Sequence, residues 1–99
     1  MNGKRSGRAQ IGKQGLRIDK LLWFLRFCHS RAIAKRLAEK GHIRLNGRRI
    51  VRAHAIIRQG DIVTIPHGRE IRVIRILHLP DTRGGAPMAE RCYEILQTG

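Results

Sequence analysis

"RIDKLLWFLRFCHSRAIAKRLAEKGHIRLNG", residues 17–47, sets two helix-forming patterns, a glycine stop and an Asn-Gly turn in a row. Leu21, Leu22 and Leu25 fall at the i, i+3 and i+4 spacings that make one apolar stripe, and Asp19 stands where a helix start takes a cap. Trp23 and Arg26 project at another angle, on a more exposed side. Ser30 is placed to cap a second helix that turns Ile33, Ala34, Leu37 and Ala38 inward, with Gly41 as its terminator. Ile43 and Leu45 then alternate into Asn46-Gly47, the pair that best tolerates the positive φ values of a tight hairpin. The stretch therefore predicts helix, helix, hairpin.

Downstream, Gly60-Asp61 marks another turn, and "IVTIPHGREIRVIRILHL" at 62–79 reads as two strands joined around Pro66-His67-Gly68. Ile71 and Val73 share one parity while Ile74 and Ile76 share the other, which predicts a bulge or burial on both sides. "DTRGGAP" at 81–87 is a loop signal, and Ala89, Cys92, Tyr93 and Leu96 repeat at the spacing of a short terminal helix. The expected class is α+β: two N-terminal helices packed on a small, mainly antiparallel sheet, with a short C-terminal helix. Residues 1–15 carry four glycines and four basic residues and almost nothing to bury, so a disordered basic arm is expected there. Composition suits a phosphate-touching arm and a solubilising extension equally. Residues 16–66 are expected to form the core, and 67–99 to complete the same domain with a strand and the short helix.

The chain of 99 residues has 21 basic and 7 acidic side chains, a formal charge of +14. That excess opposes folding by self-repulsion and favours an anionic partner. It is also segregated: residues 16–58 hold 12 basic and 2 acidic residues, +10, whereas 59–99 hold five of each and sum to zero. Asp19 and Glu39 cannot balance such an array, so Arg17, Lys20, Arg31 and Lys35 on the helices, extended by Arg44, Arg48 and Arg49 around the hairpin, are candidate phosphate contacts. Arginine suits that work because its planar donors grip an oxyanion bidentately.

Other chemistries find little support. The five histidines form no HxxxH or HExxH pattern, the two cysteines no compact metal pair, and the carboxylates no pair; no metal or cofactor is expected. Asp19 is better explained by capping or by orienting a neighbouring arginine, and Ser30 by capping, than by catalysis. No phosphate-binding GxxxxGK[ST] loop is present. Cys28 and Cys92 read as reduced thiols, and nothing has the length and apolarity of a membrane span or the h-region of a secretory leader, which points to the cytoplasm. A single tryptophan is no stacking platform, so Trp23 is expected to fill the junction between helix and sheet, and Phe24 and Phe27 to close the core.

"RIDKLLWFLRFCHSRAIAKRLAEKGHIRLNGRRI" followed by "QGDIVTI" closely resembles the RNA-binding domain named after small-subunit ribosomal protein four, the alpha-L motif. The likeness covers residues 17–65 and combines the Arg-hydrophobic-Asp-Lys start, Ser30-Arg31, Gly41, Asn46-Gly47 and Gly60-Asp61 in order; Ile18 stands where leucine is commoner. The overall layout is most similar to the heat-shock protein fifteen branch. The resemblance implies noncatalytic binding of structured ribosomal RNA, and of transfer RNA with its nascent chain, on large ribosomal subunits, supporting rescue or recycling of stalled translation complexes; a monomer is the economical expectation for so compact an adaptor. The resemblance transfers the basic surface to Arg17, Lys20, Arg31 and Lys35, and the turn geometry to Gly41, Asn46 and Gly47, with Asn46 also a candidate RNA contact. Arg48 and Arg49 are additional local candidates. Two other readings are an RNA-binding appendage of an RNA-modifying enzyme and a DNA-binding architectural protein. The 34 residues after Ile65 are too few for the catalytic domains of the first; the Asn-Gly hairpin suits RNA better than the second.

Overall fold

The computed structural model describes residues 14–98, so most of the expected N-terminal arm lies outside the described residues. The elements run β1 (Leu16–Arg17), α1 (Ile18–Phe24), α2 (Arg31–Glu39), β2 (Ile43–Leu45), β3 (Arg48–Ile50), β4 (Ile56–Ile57), β5 (Ile62–His67), β6 (Glu70–Ile76), α3 (Ala86–Glu90) and β7 (Tyr93–Thr98). Five strands form an antiparallel sheet in the order β3-β2-β5-β6-β7, and β1 pairs with β4 in a separate two-stranded clasp. This is the α+β architecture the sequence predicts.

Helix α1 starts without a side-chain cap. The N–H groups of Ile18 and Asp19, orphaned at a helix start, donate instead to the carbonyls of Ala55 and Ala53 at 2.8 and 3.3 Å. Asp19 is thereby relieved of the capping task assigned to it. Where α1 ends, Arg26 adopts φ +69, and the N–H groups of Arg26 and Phe27 return to the carbonyls of Trp23 and Leu22. That is a Schellman closure with arginine in the seat glycine usually takes. Ser30 caps α2 as expected, its hydroxyl accepting from the Ile33 N–H at 3.2 Å, and Gly41 at φ +79 closes it.

The helices pack through Leu21, Leu22, Ala34 and Ala38, all fully buried, onto the sheet's Ile43, Val63, Ile65, Ile74 and Ile76. Each large apolar side chain contributes about 1.5–3 kcal/mol by leaving water. Ile33 does not turn inward: it is 40% exposed, because the alanines at 34 and 38 make a narrow stripe that seats α2 close to α1. Trp23 packs against the core from its rim. It is half-buried, with the Arg83 guanidinium 6.0 Å from its ring centroid and the Arg83 Nε donating to its carbonyl at 3.1 Å.

The hairpin of β5 and β6 turns at Gly68-Arg69, one step beyond the expected Pro66-His67-Gly68, so Pro66 sits within β5 opposite Ile71. β6 alternates in its second half, with Ile74 and Ile76 inward and Arg75 outward, while Ile71 near its start stands 52% exposed. The irregularity lies across from it: the register passes from Val73↔Gln97 to Ile74↔Ile95, leaving Leu96 as the extra residue of a bulge in β7. The helical spacing of the tail is realised only as the five residues of α3; Tyr93–Thr98 is an edge strand, because its backbone completes the ladder of β6.

Candidate nucleic-acid interface

Asp19 is the one buried charged residue among the described residues, at 2% exposure, and it organises the basic helices. Its Oδ1 accepts from Arg17 Nε at 3.1 Å and its Oδ2 from Arg17 Nη2 at 3.0 Å, while Arg31 Nε stands 3.4 Å from Oδ2. Oδ1 also accepts from the Lys20 N–H at 2.8 Å. One carboxylate thus holds cations from the starts of both helices, and the orienting role foreseen for it is the one it fills. The two guanidinium side chains remain 44% and 42% exposed. Arg17 commits only two of its five N–H donors to Asp19, which leaves an outward edge suited to a phosphate oxygen. Lys20 is half-buried with its ammonium 5.3 Å from the Phe24 ring centroid, and Lys35 is exposed one turn along α2 from Arg31.

The strand-borne candidates form a second group. Arg44 and Arg49 are directly opposed across β2 and β3, and strand alternation puts both on the face turned away from buried Ile43. Thr64 of β5, also opposite Arg44, shares that face. The Arg49 side chain lies over the end of α2, its Cδ 3.2 Å from where a Gly41 Cβ would stand. Arg48, paired with Leu45, points to the other side of the hairpin. The structure thus brings Arg17 with Arg31 and Arg44 with Arg49, and sets Arg48 apart from the latter pair.

Asn46 and Gly47 turn the hairpin at φ +51 and +86. The Asn46 side chain is spent on structure: Nδ2 donates to Asp61 Oδ1 at 3.1 Å and Oδ1 accepts from the Ile62 N–H at 2.9 Å. Asp61 Oδ2 accepts in turn from the Arg58 N–H at 2.8 Å, and Gly60 takes φ +92 to make the turn. Residues 15 and 16 positions apart in the chain are thereby locked into one corner. Local reading missed the long-range bonds of Arg83 to Trp23 and of Arg26 to the Gly84 carbonyl, since nothing in the periodicity signals a partner some sixty residues away.

Two short basic helices, a shared buried aspartate and an Asn-Gly hairpin on an antiparallel sheet define an alpha-L type nucleic-acid-binding module. Comparison with known proteins agrees. The family model described as the S4 domain matches residues 16–63. The Haemophilus influenzae heat shock protein 15 homolog is 34% identical over 84 residues, 85% of this chain and 63% of that protein. The RQC P-site tRNA stabilizing factor of Bacillus subtilis is 31% identical over 67 residues, 68% of this chain and 77% of that protein. The solved trimeric structure of Vibrio cholerae heat shock protein 15 superposes with a TM-score of 0.78 at 32% identity, covering 83% of this chain and 82% of that one. The chain belongs to the S4 domain family of RNA-binding proteins. It spans less than two thirds of the length of the heat shock protein 15 homologs it matches.

Proposed function

We propose that the chain is a noncatalytic adaptor that binds structured ribosomal RNA, together with transfer RNA, on the large ribosomal subunit and so supports the rescue or recycling of stalled translation complexes. The observation that carries this reading is the pairing of Arg17 and Arg31 on buried Asp19 within a segment of charge +10. Long-range attraction captures the RNA, and the fixed guanidinium edges then select a phosphate spacing. Lys20, Lys35, Arg44, Arg48 and Arg49 extend the contact. The names of the relatives, a P-site tRNA stabilizing factor and a small ribosomal subunit protein among them, support the ribosomal setting. The cytoplasm is the proposed compartment, and no described helix is long and apolar enough to cross a membrane. The proposed acting species is a monomer, with residues 16–98 acting as one unit.

Filter binding to purified large subunits tests the reading. Six phosphate contacts give a slope of log affinity against log salt of roughly −4 to −5. Arg17→Ala with Arg31→Ala should weaken binding and flatten that slope by about 1.5. An unchanged affinity and slope would reject both residues as contacts. Sedimentation at the same concentrations checks the monomer, and the trimer described for the Vibrio cholerae relative is the contrary outcome.

A further inference from the structure

The turn after α1, the β5–β6 hairpin, α3 and β7 surround an open cleft of about 290 Å³ where the end of the basic segment meets the neutral half of the chain. Its volume falls near the lower end of ligand pockets, roughly 300 Å³, which suits one small aromatic ligand and excludes a duplex. Three rings make one wall: the Phe27 centroid lies 5.2 Å from that of Tyr93 and 5.8 Å from that of His67, the latter edge-on. Two guanidinium groups, Arg26 and Arg72, and one carboxylate, Glu90, complete the lining used here.

The arginines are unusual for structural residues. Arg72 Nε is fully buried and is the one such side-chain donor among the described residues without a hydrogen-bond acceptor. Its Nη2 stands 3.9 Å from Glu70 Oε1, too far for a hydrogen bond. Arg26 occupies a φ of +69 that glycine would adopt without strain, and its Nη1 donates to the Gly84 carbonyl at 3.1 Å. Non-glycine residues held in that region concentrate where function requires the side chain. The cleft therefore presents stacking surface, two guanidinium groups and one anionic acceptor, the three kinds of group that recognise a splayed-out nucleotide.

We infer that this cleft receives a single unpaired nucleotide of the bound RNA, its base stacked on the wall of Phe27 and Tyr93, its phosphate held by Arg72 and Arg26, and its exocyclic amine donating to Glu90. The inference rests on the RNA-binding reading above and extends it to a base-selective contact. A base with an exocyclic amine, such as cytosine, is preferred over uracil, which offers Glu90 a carbonyl oxygen instead. One charge-assisted hydrogen bond corresponds to about a tenfold change in affinity.

NMR titration of the full chain with cytidine and uridine monophosphates tests it. CMP should shift the ring resonances of Phe27, Tyr93 and His67 and bind about tenfold more tightly than UMP. Glu90→Gln, at an exposed position, should bring the two within about twofold. Unmoved rings, equal CMP and UMP affinities in the unaltered chain, or the same shifts with inorganic phosphate alone would overturn the assignment. So would tighter occupancy by N-acetylphenylalaninamide, which would mark the cleft as a peptide site. The Arg17→Ala, Arg31→Ala variant separates the two proposals. If it loses structured RNA while CMP leaves the rings unmoved, RNA binding stands and the cleft assignment falls; if CMP moves the rings but the variant keeps its RNA affinity, the helix-borne contacts fall and the cleft assignment stands.

Discussion

Asp19 separates two ways in which a carboxylate acts beside cations. If the helices bound RNA by net charge alone, Asp19→Ala would strengthen binding, because it removes one negative charge. The structure predicts the reverse. The carboxylate fixes the Arg17 guanidinium by two hydrogen bonds and sets Arg31 beside it, so its loss frees both side chains and the entropy of ordering them returns on binding. Affinity for structured RNA should fall several-fold in Asp19→Ala, measured at fixed salt, while stability falls by about 1–2 kcal/mol, below the figure for a fully buried pair because both arginines are more than one third exposed. Stronger binding by the variant would remove Asp19 from the recognition surface.

Among the elements, the hairpin of β2 and β3 shows how local chemistry and distant contact combine. Asn46→Ala keeps a side chain at φ +51 but deletes the bonds to Asp61 and to the Ile62 N–H, and should cost about 2 kcal/mol. In a domain of this size that lowers the midpoint of thermal unfolding by roughly 10 °C; a change under about 2 °C would show that the corner is held by other means. Asn46-Gly47, Gly41 and Ser30 were legible in the sequence because each meets a backbone requirement set within four residues of itself. The same holds for the inward stripe of Leu21, Leu22 and Leu25. The tail was not legible in this way: Tyr93–Thr98 became a strand because β6 offered it a ladder, and a periodicity of three or four cannot register a partner strand. Nor can it register Arg83, which Trp23 meets across a loop while packing against the core. For the candidate site, local reading supplied the charges, whereas the separation of Arg48 from Arg44 and Arg49 required the strand register.

At the scale of the whole molecule, the alkaline limb of stability follows from two buried thiols and one half-buried phenol. Burial pushes the thiols of Cys28 and Cys92 above their ordinary 9.0. The Tyr93 hydroxyl rises above 10.0, first through burial and then through the charge of Glu90, with Arg72 acting the other way. In each case the folded chain holds its proton more tightly than the unfolded chain, so the contribution is complete below the ordinary value and is lost as pH rises through the folded one. Between about pH 9 and 11 the unfolded state binds fewer protons and stability declines. Self-repulsion in a +14 chain also bears on stability, so the useful quantity is a difference. Urea midpoints of the unaltered chain and of Cys28→Ala, Cys92→Ala, compared at pH 8 and 10.5, should converge as pH rises; parallel curves would remove the thiols from the account. The bulge at Leu96 bears on a different hazard. With Ile95 and Leu96 uncovered along the outermost strand, a flat border would invite a stranger's backbone to zip on; the extra residue breaks the even spacing such a visitor needs, so the protein's own irregularity keeps its margin from becoming a seed for fibres.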